Sequence, residues 1–239
     1  MAHARSAVLV AFLLAVLLLP AATRAGLPDS PARVASAAAP AALKKVWIGG
    51  DSMAYQIQAT LTAGVRKLGV PKVGSLCKSS SGLVRPDFFN WPARLKSALA
   101  GFHPQAVVFM IGTNDGQGMR VGSATYAFGT AAWKREYTKR VKAIMDAMRS
   151  AGATRVYWIG MPIMRSAAFG RKMAILNAIF RSQAGAHPGV AYLDAWRLFS
   201  SSEGAYVGTW RSADGMHFNM AGVSRLAGAV VPLIRRDWF

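Results

Sequence analysis

The stretch VWIGGDS, residues 46–52, joins an apolar run to two glycines, a carboxylate and a hydroxyl. A short apolar run that ends at glycine is typical of a strand buried on both faces of a sheet. Similar runs rich in Val, Ile and aromatic residues occur at 106–111, 155–160 and 190–193, and a weaker one at 73–76. The sequence therefore predicts five strands, the first of which leads directly into Ser52.

Helical patterns separate these runs, at residues 55–67, 91–100, 131–150, 171–184 and 220–235. In the third of them, apolar side chains recur at helical spacing, from Val141 to Met148, while lysine and arginine occupy much of the remaining surface. Strands that alternate with helices predict an α/β fold with right-handed crossovers and a mainly parallel sheet. Ligands of such sheets bind beyond the carboxyl ends of the strands.

The N-terminal segment is predicted to be a secretory signal peptide over residues 1–25. Arg5 precedes an apolar stretch from 7 to 19, and small residues follow up to Ala25. An uncleaved membrane anchor is the alternative, although the stretch is shorter than the roughly 20 residues that cross a bilayer. An Ala- and Pro-rich leader follows at 26–42, and one domain at 43–239. We therefore expect a periplasmic or secreted protein with no stable membrane span after cleavage.

The charge is strongly basic, +19 over the full chain. Loss of Arg5 and Arg24 with the signal leaves 27 basic against 10 acidic residues. Such a field attracts anionic partners, although solubility alone also accounts for it. Export and the lack of a recognisable binding module disfavour nucleic acid. Cys77 is the only cysteine, which excludes an intramolecular disulfide, and we expect it to be a buried strand residue.

Three residues suggest nucleophilic catalysis. A serine hydroxyl needs an imidazole to remove its proton, and the imidazole needs a carboxylate to fix its tautomer. Asp214 lies three residues before His217, so one segment supplies both groups. Ser52 is the predicted nucleophile, His217 the general base and Asp214 the orienting residue. A helix N-cap is the alternative role for Ser52, and for Asp214 a cap of the last helix.

An oxyanion hole is predicted from the N–H groups of Ser52 and Gly82 and the side-chain amide of Asn114. Ordinary turn roles are the alternatives for Gly82 and Asn114. We expect Asp115, and similarly Asp51, to stabilise the loops. Apart from the Asp214–His217 pair the sequence has no cluster with metal-ligand spacing, so no metal site is predicted.

Four ordered blocks resemble those of the SGNH (GDSL-type) hydrolases: GDS at 50–52, Gly82, GTND at 112–115 and DGMH at 214–217. The segments at 81–91 and 211–218 are similar to an exported bacterial subgroup of largely unassigned function. The resemblance implies a three-layer α/β/α sandwich with a five-stranded sheet, serine esterase or acyltransferase chemistry and no cofactor. The first block continues Met-Ala-Tyr, without the glycine of lipolytic members, which weakens any transfer of lipase specificity.

We therefore expect an exported serine esterase or O-acyltransferase that acts on small acyl esters, acetyl above all, of an envelope or extracellular glycan. The expected partner is an acylated, anionic glycan or another envelope ester. The alternatives are a lysophospholipase or thioesterase, and a catalytically silent polyanion-binding module on the same fold. Four arginines near the motifs are candidates for substrate binding, with solvated surface charge as the alternative: Arg85, Arg120, Arg165 and Arg211. A flexible insertion with Met119 and Phe128 is expected after Asn114.

Overall fold

A computed structural model describes residues 42–239. The predicted signal peptide and nearly all of the predicted leader lie outside these residues. In chain order the elements are β1 Lys45–Gly50, α1 Ser52–Lys67, β2 Lys72–Cys77, α2 Trp91–Ala100, β3 Ala106–Met110, β4 Met119–Val121, β5 Ala124–Tyr126, α3 Ala131–Ser150, β6 Arg155–Ile159, α4 Ala167–Ala186, β7 Val190–Leu193, α5 Ala195–Leu198, a 3-10 turn at Gly208–Trp210, and α6 Met220–Trp238.

Five strands form one parallel sheet in the order β2-β1-β3-β6-β7. Helix α1 packs against α6 and against the first three strands, while α3 lies between α2 and α4 and contacts β6. Two helical layers thus enclose the sheet. The predicted fold class, a three-layer α/β/α sandwich of the flavodoxin-like type, is confirmed.

The inner strands are the most apolar, because both of their faces are covered. Strand β3 is buried along its whole length, and β1 from Val46 onward, whereas the edge strand β2 is only partly buried. The edge position explains why β2 was the weakest strand in the sequence. It also corrects one prediction, since Cys77 at the end of β2 is half-buried rather than buried. Desolvation, together with the nearby Asp51 carboxylate, raises the pKa of Cys77 to about 12.

Helix boundaries differ from the predictions where a capping side chain starts the helix earlier. Helix α1 begins at Ser52 because the Asp51 carboxylate accepts the N–H of Met53. Helix α4 begins at Ala167, where the Ser166 hydroxyl caps the first turn. Helix α6 continues to Trp238, beyond its predicted end.

The insertion after Asn114 is an ordered antiparallel hairpin, β4–β5, rather than the expected flexible segment. Met119 is only 1% exposed. The Trp133 indole N–H donates to the Gln117 carbonyl at 2.8 Å, and the Phe128 ring packs edge-on against Trp133. Of the helices in residues 42–239, none combines the length and apolar character needed to cross a membrane.

Candidate active site

Ser52 is the first residue of α1, directly beyond the carboxyl end of β1. Strand β1 lies between β2 and β3, where the sheet order reverses direction, and ligands of such sheets bind at that point. The Ser52 hydroxyl is 2.9 Å from Nε2 of His217. The two residues are 165 positions apart in the chain, so the fold creates this contact.

The segment from Arg211 to Phe218, which we call the His217 loop, presents the imidazole. A β-bridge between its two end residues closes the loop, and the Ser212 N–H donates to the His217 carbonyl at 2.8 Å. Gly215 adopts φ +72°, and a Cβ there would lie 2.6 Å from the Arg165 side chain. The loop conformation therefore requires glycine at this position.

Asp214 holds His217 through both of its oxygens. Oδ1 accepts the N–H groups of Met216 and His217 at 2.9 and 3.0 Å. Oδ2 lies 2.6 Å from the imidazole Nδ1. Desolvation raises the pKa of Asp214, but the hydrogen bonds from the ring and the two N–H groups outweigh it and lower the pKa to about 2. The ionised carboxylate accepts a hydrogen bond from a protonated Nδ1, which leaves the Nε2 lone pair facing the Ser52 hydroxyl.

Gln56 secures the His217 loop to α1, and the sequence prediction missed it. Its side-chain amide donates to the Phe218 carbonyl and accepts the Phe218 N–H, both at 3.1 Å. Gln56 follows Ser52 by four residues, one helical turn, so both side chains lie on the same face of α1. That spacing was the available signal. The amide thus fixes the position of His217 relative to Ser52.

Asp51 connects the first motif, GDS at 50–52, to the third motif, GTND at 112–115. Its fully buried carboxylate accepts the N–H of Met53 through Oδ1, and the N–H of Gly112 together with the N–H and hydroxyl of Thr113 through Oδ2. Desolvation raises its pKa, and these hydrogen bonds oppose the increase. The loop that carries Asn114 is therefore fastened to the start of α1.

Asp115 likewise holds the loop that carries Gly82 in place. Its buried carboxylate accepts the N–H of Val84 at 2.9 Å and the hydroxyl of Tyr137 at 2.7 Å. Desolvation raises its pKa to about 6, against the effect of these hydrogen bonds. A Cβ on Gly82 would lie 2.1 Å from Asp115 Oδ1. Gly82 is therefore required by close packing.

The structure gathers the three predicted oxyanion donors at the carboxyl ends of β1, β2 and β3. Within residues 42–239 the backbone N–H groups of Ser52 and Gly82 have no hydrogen-bond acceptor. One side-chain N–H of Asn114 donates to the Ser81 carbonyl at 2.9 Å, and an amide has a second N–H to donate. Among the same residues no group of three or more acidic, histidine or cysteine side chains is arranged to hold a metal ion.

Comparison with known proteins places this architecture in a family. The family model described as "Protein of unknown function (DUF459)" matches residues 45–233. The chain belongs to the DUF459 family. No curated protein matches this DUF459 sequence significantly.

Solved structures with the same fold include an esterase, an acetyltransferase domain and a phospholipase. A catalytic mutant of an acetylxylan esterase from Geobacillus stearothermophilus is 16% identical, with a TM-score of 0.58 over 80% of this chain and 94% of that one. The periplasmic domain of a lipopolysaccharide acetyltransferase from Salmonella ser. Paratyphi A is 12% identical, with a TM-score of 0.55 over 81% and 84%. Phospholipase A1 from Streptomyces albidoflavus is 15% identical, with a TM-score of 0.52 over 82% and 99%. The SGNH-type resemblance predicted from the sequence is confirmed.

Arg211 of the DUF459 chain is not available for substrate, which corrects one prediction. It is 5% exposed, and its guanidinium lies 4.7 and 4.8 Å from the ring centroids of Phe199 and Phe218. It donates to the carbonyls of Ile163 and Met216 at 2.9 and 3.1 Å. Desolvation lowers its pKa to about 10. Arg211 therefore supports the His217 loop from beneath, and the two aromatic rings in contact with it were not recognised in the sequence.

The other three arginines are exposed and lie at two places. Arg165 contacts the His217 loop, where its backbone N–H donates to the Gly215 carbonyl at 3.2 Å. Arg85 and Arg120 line one cleft together, beside the loops of Gly82 and Asn114. A role in substrate binding stays a prediction for all three in the DUF459 chain.

Proposed function

We propose that the protein is an exported serine esterase or O-acyltransferase that acts on small acyl esters, acetyl above all, of an envelope or extracellular glycan. The observation that carries the proposal is the continuous chain of contacts from Asp214 through His217 to Ser52, with distances of 2.6 and 2.9 Å. These contacts lie at the ligand-binding edge of an SGNH-type sheet.

The geometry supports acyl transfer in two half-reactions. The Ser52 oxygen attacks the acyl carbonyl while His217 Nε2 takes the hydroxyl proton, and Asp214 stabilises the imidazolium that results. The N–H groups of Ser52 and Gly82 and the Asn114 amide stabilise the oxyanion, where one donor contributes about 3 kcal/mol. Collapse of the intermediate transfers the proton to the departing alcohol and leaves an acyl-serine. Water or a sugar hydroxyl then attacks the acyl-serine, which gives hydrolysis or transfer.

Polar side chains beside the oxyanion loops favour a glycan ester. The adjoining cleft, of about 660 Å³, includes Arg85, Asp87, Gln117 and Thr125, together with the apolar Val84, Pro86 and Met119. The polar side chains can hydrogen-bond to the hydroxyls of a saccharide, and the apolar ones can pack against the faces of its rings. Two structural relatives are described as an acetylxylan esterase and a lipopolysaccharide acetyltransferase, both of which act on glycans by their descriptions.

A fluorophosphonate reagent tests the nucleophile. We expect labelling at Ser52 in the wild-type protein and none in Ser52→Ala, with thermal unfolding unchanged between the two. Product analysis with acetylated saccharides, with and without a second saccharide as acceptor, then distinguishes hydrolysis from transfer. No labelling, combined with salt-sensitive binding to an acidic glycan, would instead identify a catalytically silent polyanion-binding module.

A lipolytic hydrolase is the second candidate, because two large apolar side chains are exposed beside the site. Tyr55, one helical turn after Ser52, is 64% exposed, and Met220, three residues after His217, is 76% exposed. A series of 4-nitrophenyl esters separates the two candidates. Activity that rises steeply from acetate to long-chain esters would favour a lysophospholipase or thioesterase and contradict the glycan proposal.

Export is part of the proposal. We infer that residues 1–25 are removed as a signal peptide and that residues 43–239 form the working domain. N-terminal sequencing of the protein from its native host should find Gly26 as the first residue. An N-terminus at Met1 or Ala2 in the membrane fraction would indicate an uncleaved anchor.

A further inference from the structure

A cleft with one arginine on each wall lies beside the proposed oxyanion hole. One wall is the loop of residues 84–87, which contributes Arg85 and Asp87, and the other is the β4–β5 hairpin, which contributes Arg120 and Thr125. Gln117 lies where the two walls approach the third motif. In the sequence the two arginines are 35 positions apart, and only the fold brings them to one cleft.

Both walls are anchored, and one partly buried arginine connects them. Arg140 of α3 donates through one guanidinium nitrogen to the Leu83 carbonyl at 2.7 Å and through another to the Arg120 carbonyl at 3.3 Å. Its Nε donates to Glu136 at 3.0 Å, and both side chains of that pair are at least four-fifths buried. Met119, almost wholly buried, fastens the hairpin to the core. The separation of the walls is therefore set by the protein itself.

The cleft is continuous with the loops that carry the predicted oxyanion donors. Val84 lines the cleft, lies two residues after Gly82, and donates its N–H to the Asp115 carboxylate. Gln117 lines it from the other side and donates to the Asn114 carbonyl at 2.6 Å. A substrate whose ester occupies the oxyanion hole would thus extend its next sugar residues toward the cleft.

The charge of the cleft favours an anionic group. Arg120 has no carboxylate partner within residues 42–239. Arg85 pairs with Asp87 at 2.7 Å, but both side chains are more than half exposed. Exposed pairs contribute little to stability, so an incoming anion can compete for Arg85. Guanidinium groups bind carboxylates and phosphates through paired hydrogen bonds.

We infer that the Arg85–Arg120 cleft is a subsite for an anionic oxyacid group, carboxylate or phosphate, on the glycan that carries the acyl ester. The inference rests on the proposed function and narrows its substrate class to acidic glycans. Arg85 and Arg120 bind the anionic group, and Asp87 limits the affinity because it competes for Arg85.

The test compares acetylated oligogalacturonate, whose sugars each carry a carboxylate, with acetylated xylo-oligosaccharide, which carries none; because the two also differ in linkage and configuration, each variant is compared with the wild type on the same pair of esters. The measured quantity is the ratio of kcat/KM for the acidic ester to that for the neutral ester. We expect Arg120→Ala to lower this ratio about tenfold, because one charge-assisted hydrogen bond is lost. The double variant Arg85→Ala/Arg120→Ala should lower the ratio further. Asp87→Asn should raise it several-fold. Arg66→Ala, an exposed arginine of α1 outside the cleft, is the matched control with an unchanged ratio.

Binding provides a second readout that does not need turnover. Ser52→Ala protein should bind unacetylated oligogalacturonate or a glycerol phosphate oligomer, as measured by calorimetry, and the double arginine substitution should abolish that binding. The stronger of the two ligands identifies the carboxylate or the phosphate. If the double variant retains both the ratio and the binding, the inference is wrong while the proposed function stands. If Ser52 is unlabelled and neither ester is cleaved, but binding depends on the arginines, the proposed function fails and the anion subsite remains.

Discussion

Replacement of Asp51 tests whether one buried carboxylate holds the active-site loops together. Its four hydrogen bonds fall unequally on its two oxygens, one on Oδ1 and three on Oδ2. Asp51→Ala removes all four. In Asp51→Asn the amide oxygen can retain the three bonds from Gly112 and Thr113, while the amide nitrogen faces the N–H of Met53 and the cap is lost.

The structure allows the magnitude of each effect to be calculated approximately. In Asp51→Ala two buried N–H groups, those of Gly112 and Thr113, lose their acceptor, at about 1–3 kcal/mol each, and the cap is worth about 1 kcal/mol more. Relief from burying a charge offsets part of this, since desolvation raises the pKa of Asp51. We expect a net loss of about 4 kcal/mol for Asp51→Ala and about 1 kcal/mol for Asp51→Asn. The first value is a large fraction of the roughly 5–15 kcal/mol that stabilises a typical domain.

Urea unfolding at pH 7, followed by circular dichroism, measures these differences. Asp146→Ala is the matched control, because within residues 42–239 the half-exposed Asp146 pairs only with Lys142 and, at 3.3 Å, with His187, and the loss of such exposed pairs should change stability by at most about 1 kcal/mol. Esterase activity under conditions where each variant is fully folded should fall about 100-fold in Asp51→Ala, since Asn114 follows the released segment.

An Asp51→Ala protein within about 1 kcal/mol of the wild type would refute the reasoning, whatever its activity. The same conclusion would follow if the alanine and asparagine variants were equally stable. In that case the three bonds to Oδ2 would not be what connects the first and third motifs.

Three further predictions concern the other buried or ionised groups. Asp214→Asn should lower kcat about 10⁴-fold, because its amide nitrogen would face Nδ1 of His217 and favour the wrong tautomer; steady-state kinetics measures this, and a loss under tenfold contradicts it. The same change should lower the unfolding free energy at pH 7 by only about 1 kcal/mol, since the carboxylate with the lowered pKa is lost but its side chain is partly exposed. The folded pKa of Asp115, about 6, exceeds its ordinary value of 3.8, so between these two pH values the folded state binds more protons than the unfolded state. The wild type therefore loses stability as pH rises from about 4 to 6, and Asp115→Asn should not show this loss. The unfolding free energy of the variant minus that of the wild type should grow by up to about 3 kcal/mol between pH 4 and 7, while parallel curves would count against the assignment. Arg211→Lys should lower the unfolding free energy by about 2 kcal/mol, since an ammonium cannot reach both carbonyls that the guanidinium holds; an equally stable variant would show that the buried guanidinium is not needed.

Much of the fold could be predicted because its signals are local. Short apolar runs, most of them bounded by glycine or polar residues, marked all five strands of the sheet, and helical periodicity marked the long helices. The order of strands and helices then placed Ser52, Gly82 and Asn114 at one edge of the sheet, since parallel strands end on the same side. The helix starts at Ser52 and Ala167 were missed by a few residues, although their capping side chains are visible in the sequence.

Other features depended on contacts between distant segments. Nothing local in the sequence distinguishes Arg211, buried between two aromatic rings, from the exposed Arg120. In the sequence Gly82 resembles any glycine of a turn. Only the structure shows that a Cβ on Gly82 would lie 2.1 Å from the Asp115 carboxylate. The sequence likewise does not show that Arg140 connects the two walls of the cleft, because that contact depends on the Leu83 and Arg120 carbonyls lying within reach of α3.

The sequence by itself determined the α/β architecture, the order of the motifs and the residue types available for acyl transfer. Only the tertiary structure decided which side chains touch, which carboxylates are buried and which arginines remain exposed. The physical reason is that periodicity and capping act within a few residues, whereas hydrogen bonds at the site join residues as far apart as Val84 and Asp115, 31 positions, and Ser52 and His217, 165 positions.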